Sequence, residues 1–166
     1  MHRPRGGDGA LPPFQVVLDA HGPAVHRYLV ACVGRQDAED RFQETVIAAL
    51  RAYPNLRHAE NLEGWMITIA HRKVIDGARA TARRPVPLDE LPERGSAPAS
   101  GPDPELWDLV RALPPKQRSA VVLRHVAGWR YVDIAELMQT SEGAARQNVL
   151  EALKRLRIEI EQEGGR

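Results

Sequence analysis

Apolar residues recur every three to four positions through most of this chain, which is the period of an α-helix. The clearest stretch is YVDIAELMQTSEGAARQNVLEALKRLR, from Tyr131 to Arg157. Ile134, Ala135 and Met138 share one side of a first helix, beside Val132 and Leu137. Ser141 then stands where an N-cap belongs, with Glu142 just inside the next turn. In the second helix Ala145, Val149, Ala152, Leu153, Leu156 and Ile160 form a stripe suited to burial. Its opposite face carries Gln147, Glu151 and Lys154, flanked by Arg146, Asn148, Leu150 and Arg155. Such side chains suit a DNA major groove: Arg pairs with guanine, Gln or Asn with adenine, and Glu accepts from cytosine. Lys154 and Arg155 lie where the helix would pass a phosphate backbone. The same residues also suit the solvated face of an ordinary bundle, so this stretch alone leaves both readings open.

The rest of the chain reads the same way. Phe14 to Val33 is helical, as two helices or one broken at Gly22-Pro23, with Val25, Leu29 and Cys32 on one face. Asp37 to Tyr53 is a second helix, with Asp37 as N-cap and Phe42, Val46, Ala49, Leu50 and Tyr53 as its apolar stripe. Pro54 ends it, and a loop runs to Glu63. Gly64 to Ala82 is a third helix with Trp65, Met66, Ile69, Ala70, Val74 and Ile75 toward the core. Its downstream end is basic through Arg72, Lys73, Arg79, Arg83 and Arg84. Pro85 to Pro104 differs in kind. It is rich in Pro, Gly and Ser and reads as a flexible linker. Glu105 to Leu113 and Lys116 to Val126 are two further helices before the helix-turn-helix. The expected fold is therefore all-α, in two small helical domains. Residues 1–13 read as a disordered tail, 14–84 as the N-terminal domain, 85–104 as the linker and 105–166 as the helix-turn-helix domain.

Charge and composition narrow the function. The formal net charge is only +1, so a grip on DNA would be local, or a partner would supply much of the affinity. Cys32 is the only cysteine, which excludes an intrachain disulfide and fits a reducing cytoplasm, with Cys32 as a small core residue. No apolar run approaches the ~20 residues of a bilayer span. The basic start lacks the apolar segment of a secretory signal. There is no phosphate loop and no nucleophile set beside a base. The histidines show no metal-ligand spacing with Cys32. No catalysis, cofactor, metal or membrane contact is expected, and the expected location is cytoplasmic.

Three segments carry a family resemblance. DAEDRFQETVIAALRAY resembles the core-polymerase-binding helix of the extracytoplasmic-function sigma factors, whose pattern runs D-A-E-D and then Q-E. EGWMITIAHRKVIDGARATARR resembles their next helix, with its W-L-x-x-I-A core and basic end. LPPKQRSAVVLRHVAGWRYVDIAELMQTSEGAARQNVLEALKRLR resembles their second domain, which L-P-x-x-Q-R opens.

The resemblance implies roles. Asp37, Asp40, Gln43 and Glu44 would meet the clamp helices of the largest subunit of core RNA polymerase, acidic and amide groups against an Arg-rich partner. Asp37 also suits a purely capping role. Asn55, Arg57, His58 and Asn61 would handle the minus-ten element, with Arg72, Lys73 and Arg79 on the phosphates of opened strands. Trp65 matches the family tryptophan and reads as core, while His58 and His71 read as hydrogen-bonding surface groups. Arg130, Arg146, Gln147, Asn148, Leu150, Glu151, Lys154 and Arg155 would serve the minus-thirty-five element, with Arg118 and Arg124 as lesser phosphate contacts.

Two positions depart from the family. Arg72 stands where many members have Asn, and Glu151 where relatives commonly have Arg. An acid facing DNA is repelled by phosphate unless it accepts from a base or pairs with a neighbour such as Arg155. The function implied is an alternative sigma factor that binds core polymerase and promoter DNA, and the resemblance also implies an anti-sigma protein that holds it. The alternative is a stand-alone helix-turn-helix regulator, which would need a dimer interface and a palindromic site.

Overall fold

The computed structural model describes residues 10–57, 60–83 and 104–165. Among them are seven α-helices, a 3-10 turn and no strand. The first helix, α1 (Phe14–Val33), is continuous. Pro23 lies inside it and neither splits nor ends it, although an interior proline removes a main-chain hydrogen bond. Tertiary packing holds it together, because Val17, Val25, Tyr28, Leu29 and Cys32 are buried on both sides of the proline.

A one-residue joint follows. Gly34 has φ 83°, a left-handed value that favours glycine, and α2 (Arg35–Ala52) starts at the next residue. Gly34 is therefore the N-cap of α2, not Asp37. Asp37 sits in the first turn, where its charge still suits the positive end of the helix.

The buried positions of α2 also differ from expectation. They are Ala38, Thr45 and Ala49, spaced i, i+7 and i+11, while Leu50 is 53% exposed and Ile47 50% exposed. Thr45 can turn inward because its hydroxyl donates to the Arg41 carbonyl at 2.7 Å. A 3-10 turn, Tyr53–Asn55, closes the helix.

Residues 10–13, part of the stretch expected to be disordered, are tied down. Tyr53 Oη donates to the Pro12 carbonyl, Leu11 packs on the core, and Phe14 meets Tyr53 edge-on at 5.3 Å. Residues 1–9 and most of the expected linker lie outside the described residues. Pro104 itself opens α4.

The third helix, α3 (Leu62–Arg83), begins two residues earlier than the pattern suggests. Asn61 Oδ1 accepts from the Gly64 amide at 2.9 Å and caps it. Met66, Ile67, Ile69, Ala70 and Val74 are buried. So is His71, which is no surface group. Its Nδ1 shares a 3.0 Å hydrogen bond with Tyr28 Oη of α1. Burial, helped by the Arg72 charge, lowers the His71 pKa to about 4. A depressed histidine pKa stabilises the fold above the unfolded value near 6.5. That stability is lost as pH falls toward 4, because the unfolded chain then binds the proton more tightly. The expected loss at pH 4.5 is on the order of 2 kcal/mol. Urea titrations of wild type and His71→Gln from pH 7.5 to 4.5 check it, because the variant's curve against pH should be flatter.

The remaining helices are α4 (Pro104–Ala112), α5 (Pro115–His125), α6 (Tyr131–Leu137) and α7 (Glu142–Gly164). Ser141 caps α7 as expected, accepting from the Ala144 amide at 3.0 Å. The turn before it bends at Gln139, whose φ of 52° is unusual for a side-chain-bearing residue. The buried stripe of α7 is Ala145, Val149, Ala152 and Leu156. Leu153 and Ile160 are partly exposed instead. They border an open cleft of about 570 Å³ between α4, α5 and α7, with Trp107, Val110 and Val126.

The two helical halves share one hydrophobic core. Helix α1 packs against α2 and α3 and also against α4 and α5. At this junction Arg118 is structural and not a phosphate contact. Its Nη1 donates to the Cys32 carbonyl at 2.9 Å and its Nη2 to the Leu113 carbonyl at 3.0 Å. Cys32 is fully buried beside it, and burial pushes its thiol pKa up to about 12.

Candidate nucleic-acid interface

Helices α6 and α7 form the helix-turn-helix, with α5 beneath them. The outward face of α7 brings Arg146, Gln147, Leu150 and Lys154 together as exposed residues, with Glu151 half-exposed among them. These positions are spaced i, i+1, i+4, i+5 and i+8, so one helical face holds them all.

The polar groups on this face are held in order. Arg146 Nη2 donates to Glu142 at 2.7 Å, and its guanidinium lies 4.4 Å over the Tyr131 ring. Arg124 covers the same ring at 4.6 Å and donates to the Trp129 carbonyl at 2.9 Å. Arg124 thus has a structural place between α5 and α6, and Tyr131 is gripped by two cations. Gln147 Nε2 donates to Glu151 Oε1 at 2.8 Å. The acid is therefore paired with Gln147 and not with Arg155, which makes no ion pair among the described residues. Asn148 is half-buried and turns back to donate to the Ala144 carbonyl at 2.9 Å, which draws it off the reading face. Arg130 is largely exposed and holds Asp133 through two contacts of 2.8 and 3.2 Å. That pairing raises the Arg130 pKa further.

A second face lies on α2. Asp37, Asp40, Gln43 and Glu44 are all exposed on its outer side. Glu44 accepts from Arg41 Nη1 at 2.9 Å, whereas Asp37 and Asp40 are in no ion pair among the described residues. Ile47 and Leu50 continue this side of the helix, one and two turns beyond Gln43. The apolar stripe read from the sequence includes Leu50 and omits Ile47. The available signal was that α2 carries more apolar residues than one buried stripe can use.

The residues expected at the minus-ten element are less gathered. Asn55 and Arg57 are exposed in and after the 3-10 turn. Asn61 is engaged as the α3 cap, and His58 lies outside the described residues. Arg72 and Arg79 are exposed two turns apart on α3, Lys73 is half-buried, and none is in an ion pair among the described residues. Trp65 packs partly buried against the core, 5.9 Å from Tyr53.

By fold the protein is an all-helical chain of the helix-turn-helix class. Comparison with known proteins carries this further. The profile of "Sigma-70 region 2" matches residues 17–84 and that of "Sigma-70, region 4" matches residues 104–156. The chain is 35% identical to the ECF RNA polymerase sigma factor SigD of Mycobacterium tuberculosis, covering 87% of this chain and 75% of that one. It is 32% identical to the RNA polymerase sigma factor CarQ of Myxococcus xanthus, covering 90% of each. Among solved structures it resembles the sigma factor RpoE bound to the anti-sigma factor NepR from Bartonella quintana. That match has a TM-score of 0.69 at 22% identity and covers 87% of this chain and 94% of that one. The chain belongs to the extracytoplasmic-function branch of the sigma-70 family and is an alternative sigma factor, a promoter-recognising factor for transcription initiation. A stand-alone helix-turn-helix regulator would leave the region 2 match unaccounted for.

Proposed function

We propose that this sigma factor divides its work between three exposed faces. The outer face of α2, with Asp37, Asp40, Gln43 and Glu44, docks on the clamp helices of the largest subunit of core RNA polymerase. Ile47 and Leu50 give that contact its apolar centre. Asn55, Arg57, His58 and Asn61, with the basic end of α3 at Arg72, Lys73 and Arg79, handle the opened minus-ten strand. Residues 14–84 form the unit for both tasks, and residues 85–104 tether it to the unit of residues 105–166. There α7 reads the minus-thirty-five element through Arg146, Gln147, Leu150 and Glu151, while Arg130, Lys154 and Arg155 contact phosphate. Asn148 is a lesser contributor because its amide is turned inward.

The observation that carries this reading is the uncovered apolar pair on α2, in line with acidic and amide groups. An isolated bundle gains nothing from leaving two large apolar side chains in water. The low net charge fits as well. Each half binds weakly, and tethering on polymerase raises the effective concentration of the other. The protein works by recognition and strand trapping, without covalent chemistry, in the cytoplasm. Among the described residues, no helix is long and apolar enough to cross a membrane. RpoE, which shares the fold, was solved with the anti-sigma factor NepR, and CnrH with the cytosolic domain of CnrY; an anti-sigma partner suits this chain as well.

Run-off transcription on genomic fragments, with core polymerase alone and with this protein, tests the proposal. New discrete start sites are expected, and they should disappear with the double substitution Asp40→Ala/Gln43→Ala. Specific duplex binding by the protein alone, with no core binding and no new transcripts, would return the stand-alone regulator.

A further inference from the structure

We infer that Glu151, coupled to Gln147, makes the centre of the α7 face a reader of an exocyclic amino group on a base, the N4 amino of cytosine or the N6 amino of adenine. The inference rests on the proposed role of α7 at the promoter and adds the base chemistry that it selects.

The argument begins with what each side chain has left to offer. A carboxylate only accepts hydrogen bonds, so the amide nitrogen of Gln147 must face Glu151, as it does at 2.8 Å. That commits one of the two amide hydrogens of Gln147 and leaves the other hydrogen and the carbonyl oxygen available. Glu151 keeps Oε2 and the remaining lone pairs of Oε1. No cation within ion-pairing distance neutralises it, since the six ion pairs among the described residues do not include it. Of the neighbouring cations, Arg146 is bound to Glu142 and held over Tyr131, while Lys154 and Arg155, one turn further along, stand exposed and in no ion pair among the described residues. The middle of the face is therefore rich in acceptors, with a single amide hydrogen of Gln147 among them and cationic donors at its two ends.

Base edges in the major groove sort against such a patch. Cytosine N4 and adenine N6 present donors. Guanine presents N7 and O6, and thymine presents O4, all acceptors. An unneutralised carboxylate accepts from the first two and is repelled by the second two. It is also repelled by phosphate, which lowers affinity for every non-cognate duplex. The couple thus acts by rejection as much as by attraction. An isolated helix-surface pair would do neither.

The test uses the full chain bound to core polymerase. An upstream element is selected from a randomised duplex pool. Each cytosine in the selected duplex is then replaced in turn by 2-pyrimidinone, which lacks the N4 amino group, and each adenine by purine, which lacks N6. For wild type, one such replacement is expected to weaken binding roughly tenfold. Glu151→Leu, which keeps the bulk but removes both acceptor oxygens along with the charge, should be indifferent to that same replacement. It should also bind scrambled duplex about two- to fourfold more tightly at low salt. The replacement that matters identifies the base as cytosine or adenine, and either result supports the inference. Wild type insensitive to every amino deletion, or wild type and Glu151→Leu weakened alike by the same one, overturns it while leaving the promoter role of α7 intact. A pool from which no element is enriched overturns the proposed role of α7, and this inference with it.

Discussion

Replacing Ile47 and Leu50 together with aspartate is expected to lower affinity for core RNA polymerase at least a hundredfold, with little change in the stability of the protein. Both side chains are about half exposed, so neither substitution empties the core, and exposed helix positions tolerate polar residues within a few tenths of a kcal/mol. Two apolar side chains at the centre of a contact are each worth on the order of 2 kcal/mol, and a charge placed there adds a desolvation cost. Flanking substitutions at Asp37 or Glu44 should cost less, because rim charges are screened and Glu44 is already shared with Arg41. Thermal melts beside a fluorescence titration with core enzyme would decide the matter. Loss of stability parallel to loss of binding would mean that these residues are structural, and undiminished binding would remove α2 from the contact.

The second large effect concerns the junction. Arg118→Ala is expected to destabilise the protein by about 3 kcal/mol, since hydrogen bonds from a charged donor are worth about 1.5–3 kcal/mol each and two carbonyls lose their partner. One carbonyl belongs to Cys32 on α1 and the other to Leu113 at the end of α4, so the loss falls between the halves as well as within one. Wild type should unfold in urea in a single transition, and the variant should show an earlier step or a broadened one. A variant as stable as wild type would show that the apolar contacts alone hold the halves together. Arg118→Lys should recover only part of the loss, because an ammonium cannot span two carbonyls as a planar fork does.

Much of the architecture was legible from periodicity. The helices stand near their expected places, and Ser141 caps α7 as its position ahead of the apolar run implied. The misreadings have a common cause, which is that local signals were outweighed by partners distant in sequence. Pro23 is an interior proline that packing on both sides keeps in a continuous helix. Asp37 looked like a cap because acids favour helix starts, but a left-handed glycine three residues earlier allowed α2 to begin sooner. Thr45 displaced Leu50 from the core because its hydroxyl could be satisfied within the helix.

At the candidate site, residue types were legible but commitments were not. No spacing rule says that Asn61 is spent on a cap, that Asn148 bends back to its own helix, or that Glu151 chooses Gln147 over Arg155. His71 is the sharpest case. Its partner Tyr28 lies 43 positions away, and only the packing of α1 on α3 brings them together.

Cys32 sits in the shared core on α1, which packs against helices of both halves, and its raised pKa leaves almost no thiolate at neutral pH. A water-soluble disulfide reagent can reach it only in molecules whose halves have parted or unfolded. If reclosing is faster than reaction, the labelling rate equals the rate for a free thiol multiplied by the opening equilibrium constant. With no second cysteine to confuse the signal, the chain carries its own clock for how often it opens, readable in the unmodified protein. Any polymerase or inhibitor that favours one arrangement of the halves would change the pace of that clock.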